Sequence, residues 1–267
     1  MRYFLELSYN GLSYHGWQCQ PNSITVQEVI ENALSTVLKK DIGIIGSGRT
    51  DTGVHARQMF AHFDSDYEIL NPKKFLLSLN SLVGNDISIY NLYPVSSTAH
   101  ARFDAETRTY KYFVTYSKNP FLRNYCWHSP SPLDIKKMNE AGKLIQNAND
   151  FTSFAKLHSD TKTNLCSVEK AIWQPIEHDS EAKDFIGNLN NGIVFTIKAD
   201  RFLRNMVRAI VGTMIEVGRG KLSLEGVKKI IEEKNRCSAG TSMPGNALFL
   251  WRITYPYIPQ SNVTTRS

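Results

Sequence analysis

Apolar and polar positions alternate from the start of the chain. Tyr3, Leu5, Leu7 and Tyr9 share one face of residues 2–9, the period-two pattern of a half-buried strand. Gly11, Gly16 and Pro21 punctuate a loop after it. From 25 to 39 the period changes. Val26, Val29, Ile30, Ala33, Leu34, Val37 and Leu38 recur at steps of three and four, which predicts an amphipathic helix. Thr25 and Glu28 have capping-box spacing at its start, and Lys39 and Lys40 sit where the helix dipole favours cations. Ile42 to Ile45 reads as a short strand, and Met59, Ala61 and Phe63 alternate as another. Asn71-Pro72 opens a helix with Phe75, Leu79 and Leu82 on its stripe, and 87–93 reads as a strand.

The second half repeats this order loosely. Tyr110, Tyr112, Val114 and Tyr116 alternate. Residues 134–146 carry Ile135, Met138, Leu144 and Ile145 at helical spacing. Val168 to Trp173 and Ile193 to Ala199 read as strands. Asp200 is placed to cap a helix running to Val217 and ended by Gly218. A further helix starts at Ser223 and a last strand covers Leu248 to Tyr255. Segments 117–132, 156–165 and 177–192 read as loops. The order predicts an α+β fold of two pseudo-symmetric halves sharing a mixed, mostly antiparallel central sheet, with helices on one side and the active-site cleft on the other. The expected division is 1–104, 105–258 and a flexible tail at 259–267.

Composition narrows the class. With 42% hydrophobic and 21% charged residues in 267, a soluble globular protein with a sizeable core is expected. The net charge of +6 and pI near 9.0 suit a polyanionic partner such as nucleic acid, and equally a basic surface with none. Cys19, Cys126, Cys166 and Cys237 form no C-x-x-C pair, which argues against a zinc site or a disulfide framework. There is no signal-like N-terminus and no membrane-length apolar run. A cytoplasmic protein is expected.

Three segments offer chemistry. In Gly46-Ser47-Gly48-Arg49-Thr50-Asp51-Thr52-Gly53-Val54-His55-Ala56-Arg57 one carboxylate lies inside a glycine-framed turn, with Arg49 and Arg57 on either side. An Asx-turn would also use Asp51, but cations within reach would hold it ionised, as a nucleophile or base requires. Arg201, Arg204 and Arg208 fall on one face of the expected helix. They read as a solvated basic face, or as a phosphate-binding stripe with one arginine turned inward; spacing does not choose which. Arg108-Thr109-Tyr110-Lys111-Tyr112 reads as a strand with one core face, or as a base-stacking platform with a phosphate-contacting edge. His55, His62, His100 and His158 read as structural or surface histidines, and Gly16-Trp17-Gln18 as a packing corner or a partner-touching loop. A dinucleotide fingerprint and an H-E-x-x-H motif are missing, and the lack of a phosphate-cradling loop and of clustered metal-binding carboxylates argues against a phosphotransferase.

The chain resembles the tRNA pseudouridine synthase A family from Tyr3 to about Tyr255. The resemblance rests on Gly16-Trp17-Gln18, Thr25-Val26-Gln27, Gly48-Arg49-Thr50-Asp51-Thr52-Gly53-Val54-His55-Ala56, Phe103-Asp104-Ala105, Arg108 with Tyr110 and Tyr112, Asp150-Phe151, and Met206-Val207-Arg208 with Gly212. It implies a homodimeric, cofactor-free and metal-free isomerase that converts uridine to pseudouridine at positions 38, 39 and 40 of the tRNA anticodon stem-loop. Asp51 matches the catalytic Asp and Arg208 its arginine partner. Tyr110 matches the tyrosine on the target base, Arg49 the residue that enters the vacated stack, and Leu248 an apolar pocket wall. Arg57, Arg201 and Arg204 are expected on the RNA backbone. The alternative is a non-catalytic RNA-binding protein of the same fold. No membrane or nucleotide cofactor is expected.

Overall fold

A computed structural model describes residues 1–156, 162–187 and 191–259. His158 and residues 260–267 of the expected tail lie outside the described residues. The described chain is α+β, with nine strands and six α-helices and mostly antiparallel strand pairing. It forms two compact units. Of the described residues, one unit comprises 1–107 with 250–259; the other lies within 108–249.

In the first unit β1 (Arg2–Tyr9) is the central strand. α1 (Val26–Leu38), β2 (Ile45–Gly46), β3 (His55–Asp64), α2 (Pro72–Leu82) and β4 (Ile87–Val95) follow in order. β3 and β4 both run antiparallel to β1, with Leu5 opposite Ala61 on one side and Leu92 on the other. Thr25 Oγ1 accepts from Glu28 N–H at the start of α1, and Asn71 caps α2 with Pro72 at its first turn. Lys39 ends α1 in the left-handed region, at φ 55°. The expected strand at 42–45 shrinks to the two residues of β2. The reason is local: Ile42 N–H donates to Ser35 Oγ and Ile44 N–H to Glu31 Oε1, so side chains of α1 take the donors that a strand ladder would use.

In the second unit the central strand is β8. Before it come β5 (Thr107–Thr115), β6 (Trp127–His128), α3 (Ile135–Asn147), β7 (Val168–Pro175) and α4 (Ser180–Ile186). β8 is Gly192–Ala199, and α5 (Met206–Gly218) and α6 (Leu224–Glu233) follow it; β9 (Leu248–Thr254) starts in this unit and belongs to the first from Leu250. β5 and β7 flank β8 in antiparallel register. Trp173 of β7 stacks on Phe195 of β8, with centroids 4.9 Å apart.

Three expectations in this unit are corrected. The stretch 117–132 contains β6, which pairs parallel with the end of β5. The stretch 177–192 contains α4, capped by Asp179 accepting from Ala182 N–H and ended by Gly187 at φ 77°. Only Ala182 of its seven residues is buried, so it shows no apolar stripe in sequence. Asp200 does not cap α5. Its carboxylate accepts from Ser167 N–H and Arg201 N–H, and the left-handed Asn205 delays the helix to Met206.

Among the described residues no helix is long and apolar enough to cross a membrane. No group of three or more His, Cys, Asp or Glu among them is placed to hold a metal ion.

Candidate active site

The segment carrying Asp51 leaves the sheet after Gly46 and rejoins it at His55. Ser47 N–H still donates to Phe60 O at 2.8 Å, so departure is at Gly48. Val54 N–H donates back to Asp51 O at 3.1 Å and closes a four-residue turn, with Gly53 at φ 75° in its third position. Asp51 itself is half-buried, Thr52 is exposed and Arg49 is exposed.

A second loop, residues 11–17, grips this turn through main-chain contacts. Trp17 N–H donates to Thr50 O and Gly53 N–H to Tyr14 O. Gly11 N–H donates to His55 Nδ1 at 3.1 Å. The approach is so close that side chains are forbidden. A Cβ on Gly11 would lie 2.0 Å from Val54 O, and one on Gly16 would lie 2.4 Å from Thr50 O. Gly16 also sits at φ 91°, which glycine alone adopts without strain. Below the turn, Tyr9 Oη and Thr50 Oγ1 share a buried 2.8 Å hydrogen bond. Trp17 is buried, and its ring occupies the space a Cβ on Gly46 would need. Gly16 and Trp17 therefore form a packing corner, and Gln18 is exposed. Asp51 is thus held at a fixed place by neighbours on both sides of its backbone. The sequence marks Asp51 as the chemical centre but assigns no role to Tyr9, Tyr14 or Thr50, and the glycines at 11 and 16 are the local hint of the clamp. Arg57 is half-buried on β3, with its guanidinium 4.3 Å above the Trp251 ring.

The second unit holds Tyr110, Arg201, Arg204, Arg208 and Leu248. Because α5 begins at Met206, Arg201 and Arg204 precede the helix, and the expected three-arginine face does not form. Arg208 alone of the three is on α5, among residues that are nearly all buried. Its Nε donates to Met243 O at 2.6 Å, and Met243 N–H donates to Arg208 O at 3.1 Å. Tyr110 lies half-buried on β5, its ring edge-on to Phe202 at 5.1 Å. Tyr112, two residues on, is fully buried, and its hydroxyl has no hydrogen-bond partner among the described residues. Burial raises the Tyr112 phenol well above its ordinary range, and the Arg208 charge opposes that.

Lys111 does not offer a phosphate-contacting edge. Its Nζ is buried and bonds both carboxylate oxygens of Asp179 at 2.6 Å, with Glu181 at 3.6 Å. Burial lowers its pKa, opposed by Asp179 and Glu181. Leu248 is buried at the start of β9, directly after a short 3₁₀ turn at Gly245–Ala247.

A family profile described as tRNA pseudouridine synthase matches residues 148–256. The chain is 54% identical over 255 residues to the tRNA pseudouridine synthase A of Bacteroides fragilis, covering 96% of each chain. It is 46% identical over 256 residues to that of Porphyromonas gingivalis, covering 96% of this chain and 97% of the relative. It is 36% identical over 259 residues to that of Bacillus licheniformis, covering 96% and 99% respectively. Identity at this level, across both units and the Asp51 loop, is shared descent, and the chain belongs to the tRNA pseudouridine synthase A family.

Proposed function

We propose that this protein isomerises uridine to pseudouridine in tRNA, at positions 38, 39 and 40 of the anticodon stem-loop, with Asp51 as the reacting carboxylate. The observation that carries the reading is the Asp51 turn: a half-buried acid fixed by backbone contacts that only glycine permits, in a chain of this family. The reaction breaks the C1′–N1 bond, turns the base over and forms C1′–C5. C5 loses its hydrogen and N1 gains one, so all atoms come from substrate and solvent, and no cofactor or metal is called for.

The residues divide the work as follows. Swinging the target base out of the helix costs a few kcal/mol. Arg49, exposed beside the turn, fills the gap in the stack. Tyr110 stacks on the extruded uracil, worth about 1–3 kcal/mol per base, and Leu248 contributes to the apolar wall. The family resemblance gives Arg208 as the partner of the reacting carboxylate, and the permanent charge and planar fork of a guanidinium suit it to that role. Asp51 then adds at C1′ or removes the C2′ proton, and both routes start from the ionised acid. Arg57, Arg201 and Arg204 contact phosphates, which makes binding steeply salt-dependent. The working form is a homodimer in the cytoplasm.

The test is tritium release from tRNA labelled at uridine C5. Release is expected from tRNA with uridine at 38–40 and none from the same tRNA with those uridines replaced by cytidine. Release from both, or from neither, contradicts the assignment.

A further inference from the structure

Arg208 donates through Nε to a carbonyl that belongs to no regular element. Met243 lies in residues 239–244, which join a short 3₁₀ turn at Arg236–Ser238 to the one before β9. Fixing Nε fixes the guanidinium plane, and hence the direction in which the two Nη groups point. Whatever holds Met243 O therefore aims Arg208.

Several contacts hold it. Arg236 Nη2 donates to Ser242 Oγ at 2.7 Å, and Arg236 Nη1 reaches Gly240 O at 3.3 Å. Asn205 Nδ2 donates to the same Ser242 Oγ at 2.6 Å. Gly240 N–H donates to Thr213 Oγ1 at 3.0 Å on α5. The strap also lies against α5 at glycine distance, since a Cβ on Gly212 would meet Thr241 O at 1.9 Å. Ser242 Oγ thus receives one donor from beyond α6 and one from the residue before α5, immediately beside the carbonyl that Arg208 uses. That is more bonding than a half-exposed connecting segment needs in order to turn a corner.

We propose that Arg236 and Ser242 are positioning residues for the reaction: through the strap they orient the Arg208 guanidinium for its partner carboxylate. This rests on the reading that Arg208 pairs with Asp51. Neither residue touches substrate. A merely structural role for Arg236, closing its own 3₁₀ turn, would give an effect independent of what stands at position 208.

The experiment is a double-mutant cycle read by single-turnover tritium release from C5-labelled tRNA, with tRNA affinity measured in parallel. Arg236→Met and Ser242→Ala are each made alone and with Arg208→Lys, which lacks the Nε that the strap fixes. Each single variant is expected to slow release about tenfold with affinity within about twofold, and to slow it less than about twofold in the Arg208→Lys background. Equal losses in both backgrounds overturn the proposal. Full rates in the strap variants beside a slow Arg208→Lys overturn the proposal alone. A full rate in Arg208→Lys overturns the role of Arg208 first, and this inference with it. Ser242→Ala removes only a hydroxyl, so it decides the question should Arg236→Met fold poorly.

Discussion

The turn that carries Asp51 and the helix that carries Arg208 are held in place by different chemistry. Around Asp51 the grip is main chain on main chain, through Thr50 O, Gly53 N–H and the missing side chains of Gly11 and Gly16. Around Arg208 the grip comes mostly from side chains, with Arg236, Asn205 and Thr213 reaching into the strap. A main-chain clamp is stiff and tolerates almost no substitution. A side-chain clamp can be loosened one bond at a time. On the proposed roles, an acid that must meet one carbon of a ribose would gain from the first arrangement, and the orientation of an arginine could be tuned through the second.

The sharpest break in this contrast is at glycine. Gly11→Ala places a methyl 2.0 Å from Val54 O, and Gly212→Ala one 1.9 Å from Thr241 O. Each should cost about 3 kcal/mol or more, since backbone must move, and urea unfolding will measure it. Gly48 tests the converse. It lies in the same loop, three residues before Asp51, but a Cβ there would meet nothing within 4 Å among the described residues, so Gly48→Ala should stay within about 0.5 kcal/mol of the parent. Equal losses at Gly11 and Gly48 would remove the basis for a backbone clamp.

Next in size is Lys111→Met, which takes the buried cation away from Asp179 and Glu181 and should cost about 2–3 kcal/mol by the same measurement. Salt-dependent tRNA binding should keep its slope, because Lys111 is not a phosphate contact. A shallower slope would restore the tyrosine strand's basic edge.

Acid should weaken the first unit through His62. Burial, with Arg2 and His100 adding to it, lowers its pKa to about 4, and its Nδ1 accepts from Ala101 N–H. The unfolded chain takes up this proton near its ordinary pKa of about 6.5 while the folded chain does not. Stability is therefore full above that pH and falls as pH drops from about 6.5 towards 4. His62→Asn, whose Oδ1 can accept the same bond, should flatten the dependence of the urea midpoint between pH 7 and 5. An unchanged slope would place the titration elsewhere. The smallest effect has the opposite sign. Tyr112→Phe removes a buried hydroxyl that has no hydrogen-bond partner among the described residues and should stabilise by about 1 kcal/mol.

Much of this was legible in the sequence because local signals and tertiary structure agree. The alternation of Tyr3 to Tyr9 became β1, and Thr25 and Asn71 cap the helices they precede. The errors lie where a side chain does a job that its local sequence does not announce. Asp200 has the right identity and place for a helix cap, but it spends its carboxylate on Ser167, so Arg201 and Arg204 fall outside α5. Lys111 looks like a surface cation between tyrosines, yet it is buried and paired with Asp179, 68 residues away. The Arg236 strap was invisible for the same reason. Its meaning lies in carbonyls and a serine hydroxyl, whose positions no residue pattern encodes.

The central claim is that the clamped carboxylate of Asp51 performs chemistry on a bound uridine. The most direct test replaces it with its uncharged isostere, Asp51→Asn, and follows tritium release and tRNA binding in the same preparation. The account predicts binding close to that of the parent and no release above background. Release at a rate near the parent's would contradict it.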